Sequence, residues 1–107
     1  MDKLASTLAR LQATIASRQG ADPAASYTAK LLAAGPALAA KKMGEEAIET
    51  VIAAIQNDPD ALAAESADLL YHWLVLLQAA GVSTDAVADK LAAREGISGI
   101  AEKAGRK

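Results

Sequence analysis

Apolar positions recur at helical spacing along most of the chain. Leu4, Leu8, Leu11 and Ile15 step by four, three and four residues, which puts them on one face of a helix. That helix ends near Arg18, with Gly20 just beyond as a stop. Asp22-Pro23 marks a loop, and Ser26-Tyr27-Thr28 opens a short second helix reaching residue 34. Gly35-Pro36 breaks it, because proline suits the first turn of a new helix. The third helix is predicted over residues 36–57, with Ile48, Val51, Ile52 and Ile55 as its apolar face. Asp58 is placed to cap a fourth helix whose first position is Pro59. That helix reaches about residue 80 and stops at Gly81; Ser83 or Thr84 caps a fifth running to about residue 93. From Arg94 onward glycine and charge dominate, which predicts an irregular tail over residues 94–107.

The fourth helix carries Leu69, Leu70, Trp73, Leu74, Val75, Leu76 and Leu77 in nearly all directions around its axis. A helix that is apolar all round needs cover on every side. A chain of 107 residues is one domain, with few other helices to supply that cover. A second copy is the simplest source, so a homodimer burying part of residues 69–77 is expected. Composition agrees with an all-α fold: alanine is about one residue in four and aromatics only 3%. Alanine is the best helix former, whereas aromatics favour strands.

The formal net charge of −2 gives no footprint for nucleic acid or an anionic membrane. With no cysteine and a single histidine, disulfides, thiolate sites and His-rich zinc sites are excluded. Asp2, Lys3 and Arg10 interrupt any signal-peptide core, and no apolar run is long enough to span a bilayer. A soluble cytoplasmic protein is the expectation.

The carboxylates are unusually placed. At about 100° per residue, Lys42, Glu45, Glu46 and Glu49 share one arc of roughly 100° on the third helix. On the fourth, Glu65, Asp68 and His72 fall on the same stripe as Leu69, Val75 and Leu76. That stripe is expected to face inward. A lone EExxE is commonly a solvated helix face. Two acid pairs at i,i+3 on consecutive helices, one inside an apolar stripe, are harder to explain so, since desolvated carboxylates need a cation. The chain offers too few lysines or arginines there, and Mg²⁺, which takes oxygen ligands and keeps phosphates in its shell, would serve. Taken singly, His72 fits a core histidine, and Lys41 and Lys42 fit ordinary surface lysines.

The segments Lys42-Met43-Gly44-Glu45-Glu46-Ala47-Ile48-Glu49 and Glu65-Ser66-Ala67-Asp68-Leu69-Leu70-Tyr71-His72 resemble the KxGEExxE and ExxDLxYH segments of the phosphoribosyl-ATP pyrophosphohydrolase family. That family belongs to the all-α NTP pyrophosphatases, with the MazG-type enzymes and dimeric dUTPases. The acid core is common to the whole group. Ser26-Tyr27-Thr28, Tyr71-His72 and Arg94-Glu95-Gly96-Ile97-Ser98-Gly99 carry the narrower likeness. The resemblance implies a four- to five-helix MazG-like bundle completed by dimerisation. It also implies Mg²⁺-dependent conversion of phosphoribosyl-ATP to phosphoribosyl-AMP and pyrophosphate, the second step of histidine biosynthesis. Glu46, Glu49, Glu65 and Asp68 would hold the metal, and Glu45, Glu46 and Glu49 would carry the chemistry. Glu45 would act as an outer ligand or orient the attacking water. Lys42, Arg94 and Arg18 would bind phosphate oxygens, while Tyr27, Thr28, Tyr71 and His72 would face the sugar or base. The cyclohydrolase often fused to this domain elsewhere is expected as a separate protein here.

Two other readings share parts of the pattern. A MazG-type housecleaning pyrophosphatase would have the same acids and a different pocket; Ser26-Tyr27-Thr28 and residues 94–99 argue against it. A non-enzymatic helical module with an acidic docking face would need its acids outward, and the apolar stripe around Glu65 argues against that.

Overall fold

The structure is a computed structural model that describes residues 2–96. Five α-helices follow in order: α1 (Lys3–Ser17), α2 (Tyr27–Ala34), α3 (Pro36–Ile55), α4 (Pro59–Ala80) and α5 (Thr84–Ala92). Among the described residues there is no strand, so the all-α expectation is met. Of the predicted tail, Arg94 to Gly96 form a turn after α5, and residues 97–107 lie outside the described residues.

Local side chains set the helix starts. Asp2, Ser26, Asp58 and Ser83 each accept a hydrogen bond from a backbone N–H in the first turn of the helix they precede. These groups satisfy donors that the helix itself leaves unpaired. Ser83 rather than Thr84 caps α5. Gly35 ends α2 and begins α3 at φ 92° and ψ 178°, a conformation essentially reserved for glycine. Asn57 takes φ 56°, and the following Asp58 N–H returns to the carbonyl of Ala53. This αL closure, tolerated by asparagine, turns the chain back so that α4 runs antiparallel along α3.

The core lies at one end of that hairpin. Ile15 of α1, Leu31 and Leu32 of α2, Ala39 of α3, and Leu74 and Val75 of α4 form one buried cluster. Ala39 and Val75 are fully enclosed, at 0% exposure. Alanine at the α3–α4 crossing lets the two backbones approach. α1 and α2 therefore cover only the C-terminal half of α4, where all its buried residues (His72, Leu74, Val75) stand.

Two expectations change here. Trp73 and Leu76 are half-buried against the core cluster within a single chain, and Leu69, Leu70 and Leu77 are half-buried as well, so the cover α4 needs comes in part from its own chain. A more exposed apolar face is on α3, where Ile48, Val51, Ile52 and Ile55 are 62, 52, 47 and 74% exposed. The acid stripe of α4 is also not uniformly inward: Glu65 is half-buried, but Asp68 is exposed. The reason is the same in both cases. The N-terminal half of α4 has only α3 beside it, so a residue turned off that line meets solvent.

Candidate functional site

The hairpin brings acids from two helices to one place. Glu46 and Glu49 stand one turn apart on α3, and the turn at Asn57 returns Glu65 of α4 to their level. Each of the three offers a carboxylate oxygen, and these oxygens all lie within 4.8 Å of one another. Asp68, one turn further along α4, acts electrostatically on both Glu46 and Glu65, although its oxygens are not in that tight group.

Such crowding has a cost. One oxygen of Glu46 and one of Glu65 are buried with no hydrogen-bond partner. The Glu46 carboxyl is pushed up to about 7, first by burial and then by Glu49, with Asp68 and Glu65 adding repulsion. Glu65 is raised as well, again by burial first and Glu49 second. Like charges held in a partly dry site favour protonation. A cation would relieve both the repulsion and the unpaired oxygens. The all-oxygen donor set suits a hard divalent ion with an incomplete protein shell, which is the habit of Mg²⁺. The residues present therefore fit the metal that the sequence led us to expect.

Lys42 and Glu45 sit at the rim, joined by a salt bridge of 3.5 Å with both side chains more than a third exposed. Below the acids, towards the hairpin turn, a recess of about 300 Å³ is lined by Glu49, Ile52, Ala53, Gln56, Ala61 and Glu65. Gln56 carries no motif signal in the sequence. It follows Glu49 by two turns, and extending the arc of Lys42 and Glu49 would have reached it.

The comparisons with known proteins agree in kind. The family described as Phosphoribosyl-ATP pyrophosphohydrolase matches residues 8–95. The chain belongs to that family. A protein of Caulobacter sp. (strain K31) named phosphoribosyl-ATP pyrophosphatase is 72% identical over 106 residues, covering 99% of this chain and 98% of the relative. A protein of the same name from Caulobacter vibrioides (strain NA1000 / CB15N) is 70% identical over 97% of this chain and 96% of its own. Another, from Methylobacterium radiotolerans, is 61% identical over 94% of each.

The remaining family-motif residues separate into two groups. Tyr27, Thr28, Tyr71 and His72 come together where the start of α2 meets α4. Thr28 and Tyr71 hydrogen-bond through their hydroxyls, and the His72 ring meets Tyr71 and Tyr27 edge-on at centroid distances of 4.9 and 6.4 Å. Arg18 stands apart from the acid trio. Arg18 caps the end of α1, and the adjacent Gln19 hydrogen-bonds Gln78 near the end of α4. Thirteen residues separate Gln78 from Glu65, about 20 Å along the helix. Arg94 is exposed in the turn after α5. Among the described residues, no helix is long and apolar enough to cross a membrane.

Proposed function

We propose that this chain hydrolyses phosphoribosyl-ATP to phosphoribosyl-AMP and pyrophosphate, the second step of histidine biosynthesis, as a cytoplasmic, Mg²⁺-dependent homodimer. We further infer that residues 1–107 act as one domain. The observation that carries the reading is the convergence of Glu46, Glu49 and Glu65 with two buried, unpartnered carboxylate oxygens, in a chain whose relatives bear the pyrophosphatase name.

Glu46, Glu49 and Glu65, with Asp68 beside them, would hold the metal. When bound there, Mg²⁺ supplies charge neutralisation on the phosphates and a lowered pKa for a coordinated water. Lys42, a point charge on a flexible stem, takes a phosphate oxygen. In doing so it releases Glu45, whose carboxylate can then orient the attacking water. Water adds its oxygen at the cleaved phosphoanhydride, its proton passes to a carboxylate, and pyrophosphate leaves. Tyr27, Thr28, Tyr71 and His72 sit on the side from which the nucleoside part is held. Arg94 and Arg18 are assigned to the second phosphate.

The direct test is pyrophosphate release from phosphoribosyl-ATP with Mg²⁺ and with a chelator, beside ATP and dUTP as competitors. The reading requires metal-dependent release and a clear preference for phosphoribosyl-ATP. Equal rates on all three substrates would replace it with a housecleaning activity of the MazG type.

A further inference from the structure

His72 is the one histidine in the sequence, and it is 8% exposed. Its Nδ1 lies 2.9 Å from the backbone carbonyl of Asp68. A carbonyl only accepts, so Nδ1 carries the proton and donates. In the neutral ring this leaves Nε2 as a bare lone pair. That Nε2 is buried and has no hydrogen-bond partner. Buried polar atoms are rarely left so, and each such case calls for an explanation.

The surroundings supply one. The ring is flanked by Tyr71, which Thr28 anchors, and by Tyr27, which opens α2 and is 54% exposed. Tyr71 is anchored by that hydrogen bond, whereas Tyr27 is the more exposed of the two rings. His72 follows Asp68 by one helical turn, about 6 Å along α4, which is within the span of a nucleotide whose phosphates lie at the carboxylates.

We propose that His72 is a specificity-determining acceptor: with Tyr27 turned aside, its Nε2 takes a hydrogen bond from an O–H or N–H donor on the nucleoside part of the substrate. This rests on the pyrophosphohydrolase reading and adds to it the atom that reads the uncharged part of the ligand. Recognition of this kind discriminates because a substrate without the donor leaves the buried lone pair unpaired.

A single histidine gives a single pair of imidazole ¹⁵N resonances, which makes the test direct. The full-length protein with Mg²⁺ is titrated separately with AMP, ribose 5-phosphate and inorganic pyrophosphate. The expected result is an upfield shift of the Nε2 signal with AMP, the Nδ1 signal keeping its donor character. A matching shift with ribose 5-phosphate assigns the donor to a sugar hydroxyl, and a shift with AMP only assigns it to the base. No shift with either, or an equal shift with pyrophosphate, overturns the proposal. Kinetics provide the second arm. His72→Phe should raise KM for phosphoribosyl-ATP about ten- to a hundredfold, with kcat less affected, and His72→Gln, which restores an acceptor, should recover part of it. A purely structural role would lower Tm in both variants without that difference between them. If the wild type releases no pyrophosphate while the Nε2 signal still answers AMP, the activity assignment fails and this inference stands. Turnover with an unresponsive Nε2 keeps the activity assignment and overturns the role given to His72.

Discussion

Glu46 and Glu65 each keep one buried oxygen without a partner, and that shapes what substitutions there will do. Glu49→Gln is expected to abolish pyrophosphate release, because Glu49 completes the trio of converging oxygens. Asp68→Asn should do the same if Asp68 joins the metal shell. Neither should unfold the protein, since removing a negative charge relieves repulsion in the metal-free state. Turnover assays at saturating Mg²⁺, paired with thermal melts, check both halves; near-normal turnover in either variant would remove that residue from the ligand set. The raised Glu46 pKa gives a pH dependence with a definite sign. Unfolded, the group titrates near 4.5; folded, at about 7. Between those values the folded state holds more protons, so its stability falls as pH rises. The penalty is absent below about 4.5 and complete above about 7. Melts of the chelator-treated protein should show Tm falling from pH 5 to pH 8, and Glu46→Gln should flatten the slope. Mg²⁺ should raise Tm more at pH 8 than at pH 5, because ligation needs the deprotonated acids. A Tm that climbs over that range without metal would contradict the crowding described here.

The α3–α4 hairpin is the element on which the site depends. Its return is set by Asn57 in a left-handed conformation, Asp58 as cap and Pro59 as the first helical residue. The register that follows places Glu49 of α3 beside Glu65 of α4. Asp58→Ala removes the side chain that accepts from the Ala61 N–H at 3.0 Å, at a cost of about 1 kcal/mol. Urea denaturation should show that loss with an unchanged m-value, and Asp58→Asn should show much less of it. Loss of Mg²⁺ affinity in Asp58→Ala beyond what the stability change explains would mean that the cap also sets the spacing of the acids. These elements were legible from the sequence because their signals are local. Ser26, Asp58 and Ser83 each act within three residues. The pairing of Glu46 with Glu49 follows from helical periodicity alone. Gln56, two turns beyond Glu49, was equally within reach of that periodicity.

At the scale of the molecule, the apolar face of α3 is the main unfinished surface. The accessible area is 7368 Å², against about 5600 Å² for a compact monomer of this mass. The radius of gyration is 15.8 Å, against about 13 Å for a compact chain of this length. Four large apolar side chains exposed together on one helix face, Ile48, Val51, Ile52 and Ile55, are the kind of patch that marks an interface. A second copy packed on Ile48, Val51, Ile52 and Ile55 would bury them and enclose the recess beside Glu49 and Glu65. Sedimentation at micromolar concentration should therefore give twice the chain mass, and Val51→Glu or Ile55→Glu should shift it towards monomer with loss of activity. A stable monomer in the wild type would leave α3 uncovered and end the dimer reading.

The sequence by itself determined the five helices, their caps and the acid pairs on α3 and α4, because each depends on contacts within one or two turns. It also determined the family, whose pattern runs from residue 8 to residue 95. Tertiary packing decided how far each acid turns inward. The rotation of α4 about its axis is fixed by Leu74 and Val75 seating against Ile15, Leu31 and Leu32, all distant in sequence. That rotation leaves Glu65 half-buried, sends Asp68 outward and buries His72. It also half-buries the apolar circumference of α4 within the chain, and leaves the apolar face of α3 more exposed. Periodicity gives the angle between two residues on one helix; only the neighbours packed against that helix set the angle of the helix itself.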